Sequence, residues 1–226
     1  MDYYHMKPQE IRKLISEGKI TGPTAGMSGG YAQANLVIIP KKYAYDFLLF
    51  TQRNPRSCPI LEVGDVGDRY LKTIAPGCDI AKEIPKYRLY EHGELKGEFQ
   101  DVSDLWREDL VSFLIGCSFS FEADLLEAGV PVRHIEEGCN VPMYKTNIPC
   151  APAGVFHGNM VVSMRPIPHD LIPKAVLITG DMPKVHGATI HIGAPEVSGI
   201  TDLLHPDYGD MVTSHEGEVP VFWSCG

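Results

Sequence analysis

No window of the chain approaches the roughly 18 consecutive apolar residues that a bilayer-spanning helix needs. The first residues, Met1-Asp2-Tyr3-Tyr4-His5-Met6-Lys7-Pro8, also lack the basic start and apolar stretch of an export signal. These absences exclude a membrane-spanning helix and predict a soluble, cytoplasmic protein with no membrane partner. Positive charge is scarce: 20 Lys and Arg stand against 29 Asp and Glu, a formal charge of −9. Without a basic run to neutralise a row of phosphates, nucleic acid is excluded as a partner. The six cysteines (Cys58, Cys78, Cys117, Cys139, Cys150 and Cys225) include no C-x-x-C pair. A zinc ribbon is thereby excluded, and reduced thiols are expected. Residues 21–30 are glycine-rich but match neither G-x-x-x-x-G-K-[ST] nor G-x-G-x-x-G, so they read as a flexible lid or a plain turn and not as a nucleotide loop.

What is present is a globular composition, 226 residues with 44% apolar and 22% charged side chains. A chain of this length buries about 70–75% of the surface its unfolded form exposes, enough for a core without staples. No repeat or low-complexity linker divides it. The 22 Gly and 18 Pro punctuate it so often that its elements must be short. The pattern predicts a loop-rich α+β fold, with short helices mainly in the N-terminal half and short mixed or antiparallel strands in the C-terminal half. Residues 1–226 are expected to form one compact unit, or two intimately packed subdomains meeting near residues 100–130.

Helical spacing and a leading proline predict a helix over residues 8–17. Residues 34–39 read as a buried strand ended by Pro40, followed by a helix carrying Tyr43, Ala44, Phe47 and Leu48. Residues 87–90 and 95–99 read as a hairpin turning at His92-Gly93. Asp104 is placed as the cap of a helix whose face is Leu105, Trp106, Leu110, Phe113 and Leu114, closed by Gly116. A further helix is expected over residues 122–128. Residues 160–164, 175–179, 189–192 and 219–223 read as strands.

Four segments carry candidate chemistry. Gly116-Cys117-Ser118-Phe119-Ser120-Phe121-Glu122 is placed between two helices, where converging N–H groups would cradle an anion. There Cys117 would have a depressed pKa and act as a nucleophile, unless it is a small buried apolar residue and the serines are caps only. Residues 133–144 gather Arg133, His134, Glu136, Glu137 and Asn140. Such a mix suits a small anionic substrate, with Arg as a bidentate clamp and His or Glu moving protons, although a solvated surface segment would read the same way. In an extended chain Arg133 and His134 would face opposite ways. Arg165, set in apolar sequence, must be paired or bound to an anion. His186 and His191, five apart, fall on opposite faces of a strand, so no metal centre is assigned to them.

Several long runs resemble the D-glutamate cyclase family: Gln33-Ala34-Asn35-Leu36-Val37-Ile38, Asp46-Phe47-Leu48-Leu49-Phe50, Gln52-Arg53-Asn54-Pro55, Gly116-Cys117-Ser118-Phe119-Ser120-Phe121-Glu122, Asn140-Val141-Pro142-Met143-Tyr144, Ala153-Gly154-Val155-Phe156-His157-Gly158, Ser163-Met164-Arg165-Pro166, Pro206-Asp207-Tyr208-Gly209-Asp210 and Val219-Pro220-Val221-Phe222-Trp223. The resemblance implies a hydro-lyase that removes water from D-glutamate to give 5-oxo-D-proline; no cofactor or metal is assigned. That chemistry needs a carboxylate clamp, for which Arg165, Arg133 and Arg53 are candidates, and proton-transfer groups, for which His134, His157 and Glu122 are candidates. Asn140 and the amides around Ser118 are candidates for the oxyanion. Thr189 stands where the family usually has Pro, and the resemblance implies a further segment beyond Gly226. Two other readings stay open: a non-catalytic binder of acidic amino acids or 5-oxoproline, and a metal-assisted hydro-lyase for another small acid. A homodimer is compatible with the short strands and acidic surface.

Overall fold

The computed structural model describes residues 2–225; Met1 and Gly226, the two ends of the unit expected from the sequence, lie outside them. Its elements are few short helices and antiparallel sheets, an α+β fold. Among the described residues no helix is long and apolar enough to cross a membrane.

Helix α1 (Pro8–Ser16) has proline in its first turn and buries Ile11 and Ile15, which pack with Ile20 and against Met27 of the glycine-rich loop. Strand β1 (Ala34–Pro40) runs straight into α2 (Lys41–Arg53). The first sheet has the order β1-β5-β2, with β5 (Leu110–Gly116) at its centre and β2 (Ile60–Val63) on the far side. The register pairs Ala34 with Gly116 and Pro40 with Leu110. Strands β3 (Tyr87–Glu91) and β4 (Glu94–Phe99) form the expected hairpin, with His92 and Gly93 both at positive φ.

The helix expected around Leu105–Gly116 is not there. Ser103–Leu105 forms one 3₁₀ turn, and residues 110–116 are the central strand, buried at every position. Val111, Phe113 and Ile115 pack toward Phe47 of α2, while Leu114 packs on the other face against Leu71 and Ile80. A strand covered on both faces is a continuous apolar run, and Leu110, Phe113 and Leu114 in that run mimic helical spacing.

The second sheet has the antiparallel order β6-β7-β9-β8: β6 (Met143–Pro149), β7 (Asn159–Pro168), β9 (Glu218–Cys225) and β8 (His191–Ile192). Alternation along β7 and β9 sends Val162, Met164 and Phe222 to one face. Ile167, Val221 and Trp223 go to the other, where they meet Phe121, Leu125 of the short α3 (Glu122–Glu127) and Ala175 of α5 (Ile172–Gly180). Helix α5 replaces the strand expected over residues 175–179. Pro173 stands in its first turn, and Ala175 and Thr179, one turn apart, face the core, where Thr179 Oγ1 accepts the Trp223 indole N–H at 3.0 Å. Residues 133–135 are likewise not extended; they lie in α4 (Arg133–Glu136), a single helical turn.

Candidate functional site

The segment after β5 does not leave a helix, as expected, but leaves the central strand. Gly116 makes this exit possible: a Cβ there would collide with the carbonyl of Lys184, so the turn carrying His186 packs directly on the strand end. Cys117 N–H then donates to Gln33 C=O at 3.0 Å. A 3₁₀ turn over Ser118–Phe121 follows and delivers Glu122 at the start of α3. The face of β7 that carries Ile167 also carries Ser163 and Arg165 by the two-residue period, so Arg165 projects into the gap between sheet and α3. The single turn of α4 adds His134.

Four sequence candidates therefore meet in the interior: Glu122, Arg165, His134 and Ser118. Arg165 is 0% exposed, while Glu122 and His134 are each 1% exposed. The Arg165 guanidinium donates through Nε, at 3.2 Å, and through Nη2 to Glu122 Oε1. It also donates to Ser163 Oγ and Ser118 Oγ, each at 3.1 Å. Its Cζ sits 5.1 Å from the Phe121 ring centroid and 5.4 Å from that of Trp223, where the faces of the rings favour a cation. His134 Nε2 lies 3.0 Å from the same Glu122 Oε1. The imidazole also stacks on Phe119 at 5.8 Å.

These contacts set the charges. Burial alone would raise the Glu122 pKa, but the Arg165 guanidinium and His134 beside it hold the carboxyl below the usual carboxylate range. Burial pushes His134 down, against the pull of Glu122, which keeps its imidazole neutral at neutral pH. The cluster is thus an ionised carboxylate, a guanidinium and a neutral imidazole. Glu122 Oε2 is buried with no hydrogen-bond partner, a condition that costs about 1–3 kcal/mol. The same residue lines a narrow cleft whose apolar side chains are Phe119, Ala123, Leu126 and Ile135. The opposite wall is the glycine-rich loop from Gly26 to Tyr31, with Gln33.

The remaining candidates lie elsewhere. Cys117 adjoins the cluster, yet burial pushes its thiol up to about 12, opposite to the depression expected of a nucleophile at a helix start. Arg133 turns away from His134 and is held by Glu218, His215 and Glu136. Arg53 is exposed and donates to the Pro152 carbonyl. His157 is exposed in the loop before β7. Asn140 receives Val141 N–H at 3.0 Å on its own side-chain oxygen, and its backbone N–H donates to Asp210. Sequence reasoning did not single out Ser163 or Ser28 as site residues, nor did it place His186 beside this cluster. His186 is 1% exposed at φ +84, with Nδ1 2.8 Å from the Arg56 carbonyl and Nε2 unpartnered. Ser163 could have been found from its two-residue offset from Arg165; Ser28 and His186 stand in turns that carry no periodic signal.

Residues 111–226 match the family model described as D-glutamate cyclase. That span contains all four residues of the buried cluster. The whole chain is 70% identical to the protein named "Putative hydro-lyase" of Clostridium beijerinckii, of which it covers 86%. It is 60% identical to the one so named in Psychrobacter arcticus, with the same coverage of both chains. Over 98% of its length it is 58% identical to the Bacillus subtilis protein of that name, again covering 86% of it. The chain belongs to the D-glutamate cyclase family.

Proposed function

We propose that this chain is a hydro-lyase for a small anionic substrate, and within that class that it converts D-glutamate to 5-oxo-D-proline and water. The observation that carries the reading is Glu122: an ionised, buried carboxylate with one oxygen held by Arg165 and the other free beside a cleft. In the proposed reaction Glu122 Oε2 takes a proton from the α-ammonium, and the freed amine attacks the γ-carboxyl carbon to form a C–N bond. That proton returns to a γ-oxygen, a second proton lost by the attacking nitrogen is passed to the same oxygen, the C–O bond breaks, and the oxygen leaves as water, so that two of the three ammonium protons end in the water and one stays on the ring amide. His134, neutral and next to Glu122 Oε1, supplies the second proton-handling group. Arg165 is spent on Glu122 and two serines, so its role is to keep the carboxylate ionised and aimed. It is therefore a positioning residue here and not the substrate clamp.

Incubation of the purified chain with D-glutamate and, separately, L-glutamate tests this, with 5-oxoproline followed by chromatography in the presence and absence of a chelator. Chelator-resistant product from the D-enantiomer, lost at least 100-fold in Glu122→Gln, is the expected result. Full turnover in Glu122→Gln would remove the mechanism. Binding without product would leave a non-catalytic binder, and chelator-sensitive product would point to metal-assisted chemistry.

A further inference from the structure

Among the described residues, Glu122 is one of two polar groups along the cleft whose buried atoms have no partner; the other is Ser28. Ser28 is 7% exposed and lines the same cleft, and its Oγ is buried without a hydrogen-bond partner. Its backbone stands at φ +47, a region that L residues enter at a cost and keep only when their surroundings enforce it. The enforcement is visible. Ser28 N–H donates to Tyr3 C=O at 3.0 Å and Gly29 N–H to Tyr4 C=O at 2.8 Å. The next position must be glycine because a Cβ at Gly29 would enter the Tyr4 ring. Met27, just before, packs half-buried against the α1 cluster, and Gln33 N–H ties the end of the loop to Ser120 Oγ at 2.8 Å.

We propose that Ser28 and Glu122 form the recognition subsite for the α-amino-acid end of the substrate, with the Ser28 hydroxyl donating to the α-carboxylate and Glu122 Oε2 accepting from the ammonium. This deepens the cyclase reading and rests on it for the identity of the amino acid. The chemistry of the two atoms is complementary to a zwitterion: an ionised carboxylate oxygen accepts only, and a hydroxyl still has a proton to give. Phe119, Ala123, Leu126 and Ile135 offer nothing to a second charge, and the Ser120 hydroxyl is bonded to Gln33, which leaves the zwitterionic end as the part of the ligand these two atoms recognise. Ring closure converts the ammonium to a neutral amide N–H, which weakens the contact with Glu122 and favours departure of the product.

Ser28→Gly is the informative variant, because glycine accepts the positive φ while removing the hydroxyl, so a loss of function is not a loss of fold. Binding of D-glutamate is measured by calorimetry alongside turnover, for the wild-type chain and for Ser28→Gly. The expected result is a Kd and a KM about ten-fold higher with kcat little changed and an equal or higher Tm. Unchanged Kd and KM would overturn the subsite while leaving a cyclase intact. If the wild-type chain binds D-glutamate without forming 5-oxoproline, and Ser28→Gly still weakens binding, the subsite stands and the cyclase reading falls. A wild-type chain that binds no glutamate and forms no product would overturn both.

Discussion

At the scale of single residues, the interior of this protein is governed by a charge pair that cannot be halved. Arg165 and Glu122 are both buried, and each satisfies the other. Arg165→Met leaves the Glu122 charge uncompensated, which should cost about 3–5 kcal/mol. The double variant Arg165→Met/Glu122→Gln removes both charges and should recover much of that loss; urea unfolding midpoints of both single variants and the double variant test the coupling, and strictly additive losses would refute it. His186 offers a second residue-scale test. Burial pushes its pKa down to about 4 from an ordinary value of about 6.5. Between those two pH values the unfolded chain holds a proton that the folded chain refuses, so stability is full above the upper value and declines as pH falls toward the lower. The effect amounts to about 3 kcal/mol. His186→Asn, which tolerates the left-handed backbone, should lose this share of the acid sensitivity in Tm measured against pH; parallel curves for variant and wild type would contradict it. That Arg165 had to be paired was legible from its apolar neighbours, whereas its partner, 43 residues away, was not.

At the scale of elements, the parts whose sequence has one dominant signal were legible and those with two competing signals were not. Helix α1, β1 with α2, the β3–β4 hairpin and α3 follow their caps, prolines and turn residues. Strand β5 and helix α5 did not, and for opposite reasons. Leu105, Trp106 and Leu110 continue an apparent helical stripe into a strand buried on both faces. Val176, Ile178 and Thr179 are β-branched, yet they form a helix, because packing of an apolar face outweighs intrinsic propensity. The lock on that helix is specific: the Thr179 hydroxyl donates to the Ala175 carbonyl at 2.9 Å and receives the Trp223 indole N–H. Thr179→Val keeps the shape but strands a buried donor, and should destabilise the protein by about 1–3 kcal/mol, with Thr179→Ser close to wild type. Equal midpoints for Val and Ser in denaturant would show that the indole contact contributes nothing.

At the scale of the whole molecule, the cleft is assembled from stretches far apart in the chain: the loop around Ser28, the turn before Glu122 and the helical turn of His134, with Arg165 behind. Residue types in these stretches were readable, but their convergence depends on β5 and β7, and no local pattern encodes it. Gln33 is where the loop is joined to the rest. Its side-chain amide donates to the carbonyls of Thr24 at 3.1 Å and Met27 at 3.3 Å, and its backbone carbonyl receives the Cys117 N–H. Gln33→Ala removes the side-chain bonds and leaves the main-chain ones, so the loop should stay in place but open more often. The expected outcome is faster amide hydrogen exchange over residues 24–31, by about ten-fold, with exchange in β5 and β7 unchanged because those strands open only with global unfolding. KM should rise with it, since a loop that opens more often spends less time presenting Ser28 to the ligand. Unchanged exchange in the loop would mean that Tyr3, Tyr4 and Met27 hold it without Gln33, and the cleft wall would then be a fixed surface.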